Sequence, residues 1–183
     1  LTEQPEYNGT QLIHSKVIAS YLRQLLRNDL QYAPFRMEGM EQDVREMMEI
    51  DTPQGKLALQ IGGTIDRLDS KGDTLRIVDY KTGGTPKTPE NIEQLFTPAD
   101  NRPNYIFQTF LYAAILCRKQ SLKVAPSLLY IHRAASESYS PVIEMGAPRQ
   151  PKVPVNNFAF FEDEFRERLH GLLQEIFSQE ETF

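Results

Sequence analysis

Residues 11–30, QLIHSKVIASYLRQLLRNDL, place apolar side chains at Leu12, Ile13, Val17, Ile18, Tyr21, Leu22, Leu25 and Leu26. Steps of three and four predict an amphipathic helix with one face toward a core. Pro34 follows and ends it. Residues 35–50 fit helix or strand on propensity, with a strand expected from about Met40 to Ile50. Strand is preferred because the hairpin residues DTPQGK follow at 51–56, and LALQIGGTIDRLD at 57–69 then alternates apolar and polar. SKGD at 70–73 makes a second turn, and TLRIVDYK at 74–81 a third strand. Three strands joined by two short turns predict an antiparallel meander. The Gly and Pro content of 83–91 predicts a loop. Residues 104–120 read as a strongly apolar helix packed across the sheet, and 123–133 as a further strand. Prolines at 141, 148, 151 and 154 predict an irregular stretch, in which SPVIEM holds one short strand. Residues 158–178 form an amphipathic helix with an acidic first turn, favourable at a helix N-terminus. This order predicts an α/β fold: a central mixed β-sheet containing a three-stranded antiparallel meander, flanked by helices on both faces.

The chain has 183 residues, 40 % hydrophobic and 25 % charged, which fits one globular domain with a sizeable core. It divides into an N-terminal helix (1–34), a core (35–135), an irregular segment (136–157) and a C-terminal helix (158–183). No apolar run approaches the roughly 20 residues that span a bilayer, so no membrane role is expected. The first residues, LTEQPEYNGTQ, lack the basic and apolar regions of a signal peptide. The sequence starts at Leu1 and not at Met, and reads as an excised piece of a longer protein. Cys117 is the single cysteine. It excludes an internal disulfide and a cysteine-built zinc or iron–sulfur site. It reads as a small core residue in a cytoplasmic protein.

Net charge is −5, which argues at first against nucleic acid. The charge is unevenly spread, however. Residues 156–183 carry a net −5, and residues 101–155 a net +5 from seven Lys/Arg against two acids. A local basic surface, with Lys87, Arg102, Lys119, Lys123 and Arg133 as candidates, could meet phosphates despite the global sign. Scattered, solvated charge explains the numbers equally well.

The sharper signal lies in carboxylates on neighbouring strands. Asp66 follows Gly62 and Gly63, and glycine inside a strand marks a bulge or a close backbone approach. Asp79 lies one tight hairpin away, and Lys81 shares its face because side chains two apart point the same way. Glu41 on the preceding strand adds a third carboxylate. Hard oxygen ligands of this kind suit Mg2+ or Mn2+, and a lysine beside them can orient water or stabilise developing charge. The alternative is structural: Asp66 pairs with Arg67 or Arg76, and Asp79–Lys81 is a surface ion pair. A lone D-x-K favours that alternative. GxxDR, a hairpin and then VDYKTG favour metal-assisted phosphodiester hydrolysis.

The series GTIDRLD, RIVDYKTGG and QTFLY, in that order, resembles the PD-(D/E)XK nuclease superfamily over roughly residues 30–135. It is most similar to the RecB/AddB-type nuclease domain of bacterial helicase–nuclease subunits. The resemblance implies a restriction-endonuclease-like fold. It implies that Asp66 and Asp79 bind the metal and that Lys81 assists catalysis. An upstream acid often contributes, here Glu41, with Glu38 as the second choice. Gln108 and Tyr112 take the place of the Q-x-x-x-Y motif, one helical turn apart on one face; their implied role is to support the site and contact the nucleic-acid backbone. The branch usually carries a histidine on an earlier helix. His14 is the candidate here, although its surroundings do not match the motif. His132 and His170 read as a strand residue and a helix surface residue.

The leading expectation is therefore a Mg2+-dependent DNase (Mn2+ also suiting the site) that leaves a 5′-phosphate and a 3′-hydroxyl. It would work with an attached helicase domain or a partner helicase subunit in double-strand-break processing and recombinational repair. No GxxxxGK[ST] occurs, so the ATP motor would lie elsewhere. The alternative is a catalytically silent DNA-binding or scaffolding module. A third reading is a small-molecule phosphatase or a tRNA-processing nuclease on the same fold.

Overall fold

The computed structural model describes residues 8–136 and 138–178. In chain order its elements are α1 (Gly9–Tyr32), β1 (Arg36–Thr52), β2 (Gly55–Lys71), β3 (Thr74–Lys81), α2 (Asn104–Cys117), β4 (Lys123–Tyr130), β5 (Glu144–Met145), β6 (Val153–Pro154) and α3 (Glu162–Ser178). The main sheet has the order β1-β2-β3-β4. β1, β2 and β3 form the antiparallel meander, and β4 joins parallel to β3. A parallel neighbour needs a long crossover, which α2 supplies. The sheet is mixed and the helices lie on both faces, the α/β restriction-endonuclease-like arrangement expected from the sequence.

Alternation along β3 assigns the faces. Leu75 and Ile77 join the main core with Ile65 and Leu68 of β2, Ile106 and Phe110 of α2, and Phe158 and Phe165. Phe110 and Phe158 pack edge to face, with ring centroids 4.9 Å apart. α3 closes this layer through Phe165 and Leu169, and its buried Arg166 binds Glu46 of β1 at 2.6 Å. The opposite face is thinner. Val78, Leu129, Ile131 and Ala134 meet Tyr21 and Leu25 of α1.

Charge holds the rest of that thinner face. Asp69, fully buried, accepts from Arg67 Nε at 3.0 Å and from Arg76 Nε at 2.9 Å. Arg67 Nη1 also donates to Asp29 of α1 at 2.8 Å and to the Tyr80 hydroxyl at 3.1 Å. The Tyr32 ring lies 3.5 Å from the Arg76 guanidinium carbon. Burying charge this deeply requires opposite charge beside it.

Several boundaries differ from the sequence reading. β1 begins at Arg36, four residues before the expected start, because its first residues pair with Asp69 and Ser70 at the end of β2. α2 ends at Cys117 and not at 120. β4 stops at Tyr130, and His132 lies exposed in a short 3-10 turn, Ile131–Arg133, not in a strand. The C-terminal helix starts at Glu162 after a separate turn, Phe158–Phe160; residues 179–183 lie outside the described residues. SPVIEM is divided: Val142 bridges to Ser127, and Glu144–Met145 pairs with β6. The expected core stripe of α1 is largely exposed. Among the described residues no helix is long and apolar enough to cross a membrane.

Candidate active site

The face of β3 that begins with Leu75 and Ile77 continues with Asp79 and Lys81. Two apolar positions anchor the strand in the core, and two charged positions follow at the end nearest the start of α2. Asp79 is only 4 % exposed. The Lys81 ammonium lies 2.5 Å from its Oδ2, yet no donor is angled to hydrogen-bond that oxygen. Burial pushes the Asp79 carboxyl above the usual carboxylate range; the Lys81 charge opposes this, and the nearby Asp66 charge adds to it. Lys81 Nζ also sits over the Tyr105 ring of α2, 4.3 Å from its centroid.

Asp66 reaches the same neighbourhood from β2. The β2–β3 ladder runs from Lys71–Thr74 to Arg67–Val78. One further step sets Asp66 level with Asp79. There the ladder gives way, and the Tyr80 backbone N–H donates to Asp66 Oδ2 at 2.8 Å. This bond fixes the half-buried carboxylate. The structural alternative for these residues is not what the fold contains. Arg67 and Arg76 face α1 and bind Asp69 and Asp29, not Asp66. The Asp79–Lys81 pair exists, but it is buried and not on the surface.

Two glycines shape the approach to Asp66. A Cβ on Gly63 would lie 2.6 Å from the Tyr112 hydroxyl, so glycine is what lets this buried α2 side chain press against β2. Gly62 has φ +142°, and a Cβ there would lie 2.0 Å from the Val44 carbonyl oxygen of β1. Tyr112 in turn accepts from Gln108 Nε2 at 3.0 Å. Gln108 and Tyr112 thus form a connected pair on α2, braced against the strand that carries Asp66.

Other sequence candidates lie apart. Glu41 falls between the paired positions Met40–Arg67 and Gln42–Ile65, level with Asp66, but its backbone is left-handed (φ 48°) and its side chain is exposed. Glu38 accepts from Ser70 Oγ and neighbours Arg36. His14 is exposed on α1, the helix of the opposite face. Among the described residues, no three His, Cys, Asp or Glu side chains gather closely enough to form a metal-holding group. His170 is a half-buried residue of α3.

The basic candidates divide by position. Lys87 and Arg102 line a cleft with Gly84, Tyr105 and Tyr130, and Arg133 lines the adjoining one with Lys87 and Tyr130. These lie at the Lys81 end of the sheet, since Lys81 pairs with Tyr130. Lys123 pairs with Thr74 at the other end of β3, and Lys119 donates to the Arg45 carbonyl of β1.

The sequence reading did not single out Tyr105. It precedes Gln108 by one helical turn, and that i, i+3 relation was the signal that could have found it. It also overlooked Asp29, which α1 brings to Arg67 across 38 residues of sequence.

A mixed sheet thus carries two acids level on adjacent strands, a lysine two residues beyond the second, and a Gln–Tyr pair on the crossover helix. The chain matches the family model of the PD-(D/E)XK nuclease superfamily over residues 2–182, and it belongs to that superfamily. No curated protein matches it significantly by sequence.

Proposed function

We propose that the chain is a divalent-metal-dependent deoxyribonuclease in which Asp66 and Asp79 hold Mg2+, or Mn2+ in its place. The observation that carries this reading is the Asp79 carboxylate: buried, level with a second acid, and with an oxygen, Oδ2, met by the Lys81 ammonium at 2.5 Å. Such an oxygen fits a hard cation, and Mg2+ is commonly held by one or two carboxylates, with waters and substrate phosphate oxygens completing its coordination. Glu41 stands as a third-ligand proposal that its solvent-facing side chain does not support. When bound, the ion supplies neutralisation of phosphoryl charge and a lowered pKa for water.

The chain's own groups supply the rest. The Tyr80 N–H and the burial of Asp79 fix the two carboxylates before substrate arrives, which is preorganisation for charge stabilisation. The Lys81 ammonium is placed to orient the attacking water and to stabilise charge on the phosphoryl oxygens. Water attacks phosphorus, the P–O3′ bond breaks, and the leaving 3′-oxygen takes a proton. Gln108 and Tyr112 brace the site, and Lys87, Arg102 and Arg133 contact phosphates without reading bases. The RecB/AddB-type branch, the helicase partner and the repair role rest on the motif resemblance alone, and a cytoplasmic location on the single cysteine.

Titration calorimetry with Mg2+ and Mn2+ should show binding that Asp79→Asn abolishes; identical heats in both proteins would overturn the site. On single-stranded DNA, Lys81→Ala should lower the cleavage rate by about 10³-fold while metal binding persists. In the metal-free protein, Asp79→Asn should leave the Tm unchanged or raised, because it removes a buried carboxylate. DNA binding without cleavage by the wild type in either metal would favour the silent module. Cleavage of RNA but not DNA would move the substrate class.

A further inference from the structure

We propose that Tyr105 is a positioning residue for Lys81, holding the ammonium in place by a cation–π contact. This rests on the reading of Asp79 and Lys81 given above. An ammonium is a compact point charge on a flexible four-carbon stem, so one carboxylate fixes its distance but not its direction. Lys81 meets two partners from two elements: Asp79 Oδ2 at 2.5 Å and the Tyr105 ring centroid at 4.3 Å. The second lies well inside the roughly 6 Å range of cation–π attraction.

The ring packs on one side and is 45 % exposed. Tyr105 stands on the first turn of α2, next to the buried Ile106. The loop after β3 folds against it, because a Cβ on Gly84 would lie 3.4 Å from Tyr105 Cε2 and 3.8 Å from Tyr130 Cε1. Tyr130 is the β4 partner of Lys81, so the ring and the loop lie beside the strand that carries the ammonium. A cation held by Asp79 competes with Lys81 for the carboxylate. The uncharged ring does not exchange its partner in that way, and it keeps the ammonium at the site when the carboxylate is engaged. Tyr105 also lines the cleft of Lys87 and Arg102.

The contact has a readout independent of activity. In the metal-free protein, the Lys81 ε-methylene protons should be shifted upfield by the Tyr105 ring current. The shift should survive Tyr105→Phe and vanish in Tyr105→Leu; its absence from the wild type would overturn the proposal. In turnover, replacing Tyr105 by phenylalanine and then by mono-, di- and trifluorinated phenylalanines drains the ring's negative face at nearly constant size. The turnover number should fall stepwise by about tenfold across the series with KM unchanged. A flat turnover number with a rising KM would make the ring a base-stacking surface and sink the positioning role. A wild type that cleaves nothing while its ring-current shift is present would fail the nuclease reading and leave the Tyr105–Lys81 contact standing.

Discussion

The two faces of the sheet are built on different physics, and β3 supplies both. Its residues Leu75, Ile77, Asp79 and Lys81 face α2, and Arg76, Val78 and Tyr80 face α1. Toward α2 lies a thick apolar layer in which Phe110, Phe158 and Phe165 are fully buried. Its buried charges are confined to the margins: Arg166 with Glu46, and the candidate site itself. Toward α1 the apolar contact is small, and Arg67, Asp69, Arg76 and Asp29 carry much of the attachment. α1 accordingly leaves most of its stripe in solvent, with Ile13 and Leu26 each 63 % exposed. The difference teaches where precision is located. Close packing transmits small displacements, so a site on the α2 face is held by its surroundings. Directional charge pairs fix an orientation on the other face with little packing behind them.

The largest effects should come from cutting each face at its centre. Phe110→Ala opens a cavity in the thick layer, and Asp69→Ala strands two buried guanidinium groups. Each should cost about 3–5 kcal/mol. Denaturant unfolding of both variants measures this. The faces part company in the repair. Replacing Arg67, Asp69 and Arg76 together by Met, Leu and Met should restore stability to near wild type or above it, because a buried ion network is often no better than apolar residues of similar volume. A triple variant as unstable as Asp69→Ala would show that the network is a net stabiliser.

The same comparison explains what was legible in the sequence. Alternation in LALQIGGTIDRLD and TLRIVDYK gave the strands, the short SKGD turn gave the register, and the register set Asp66 level with Asp79. Parity also decided the competing pairing. Arg67 is one residue from Asp66 and Arg76 three from Asp79, so each must face away from those acids. That argument was available from the sequence. The partner of Arg67 was not, because Asp29 meets it only through the docking of α1. Nor does helical periodicity in 11–30 say whether an apolar stripe is covered; it says only that one exists. Glu41 is a local failure of alternation, since its left-handed backbone breaks the strand geometry that the pattern assumes.

A middle-sized effect should connect packing to chemistry on the α2 face. Gly63→Ala places a methyl 2.6 Å from the Tyr112 hydroxyl, so the ring or the strand must move. Overpacking of this kind costs about 1–3 kcal/mol. The movement would break or lengthen the Gln108–Tyr112 bond and shift β2 close to Asp66. Metal affinity and cleavage should therefore fall although no acid or lysine has changed. The matched control on the other face is Leu25→Ala in α1, which should lower stability with metal affinity intact. Equal losses of affinity in the two variants would show that the faces are not separable.

The smallest effect reports whether the thick layer opens. Cys117 ends α2 and is half-buried against the main core. Burial, with the Glu162 carboxylate adding to it, pushes its thiol up to about 11. A folded pKa above the ordinary one means that folding favours the protonated thiol. This contribution is complete below the ordinary thiol range and is lost as pH rises through about 11. The thiolate is the nucleophile, so at pH 8 alkylation by iodoacetamide should run on the order of 10²-fold slower than for a free cysteine. Alkylation at the free rate would mean that α3 separates from α2 often enough to ionise the thiol. The layer that holds Asp79 and Lys81 would then be no firmer than the one that holds α1.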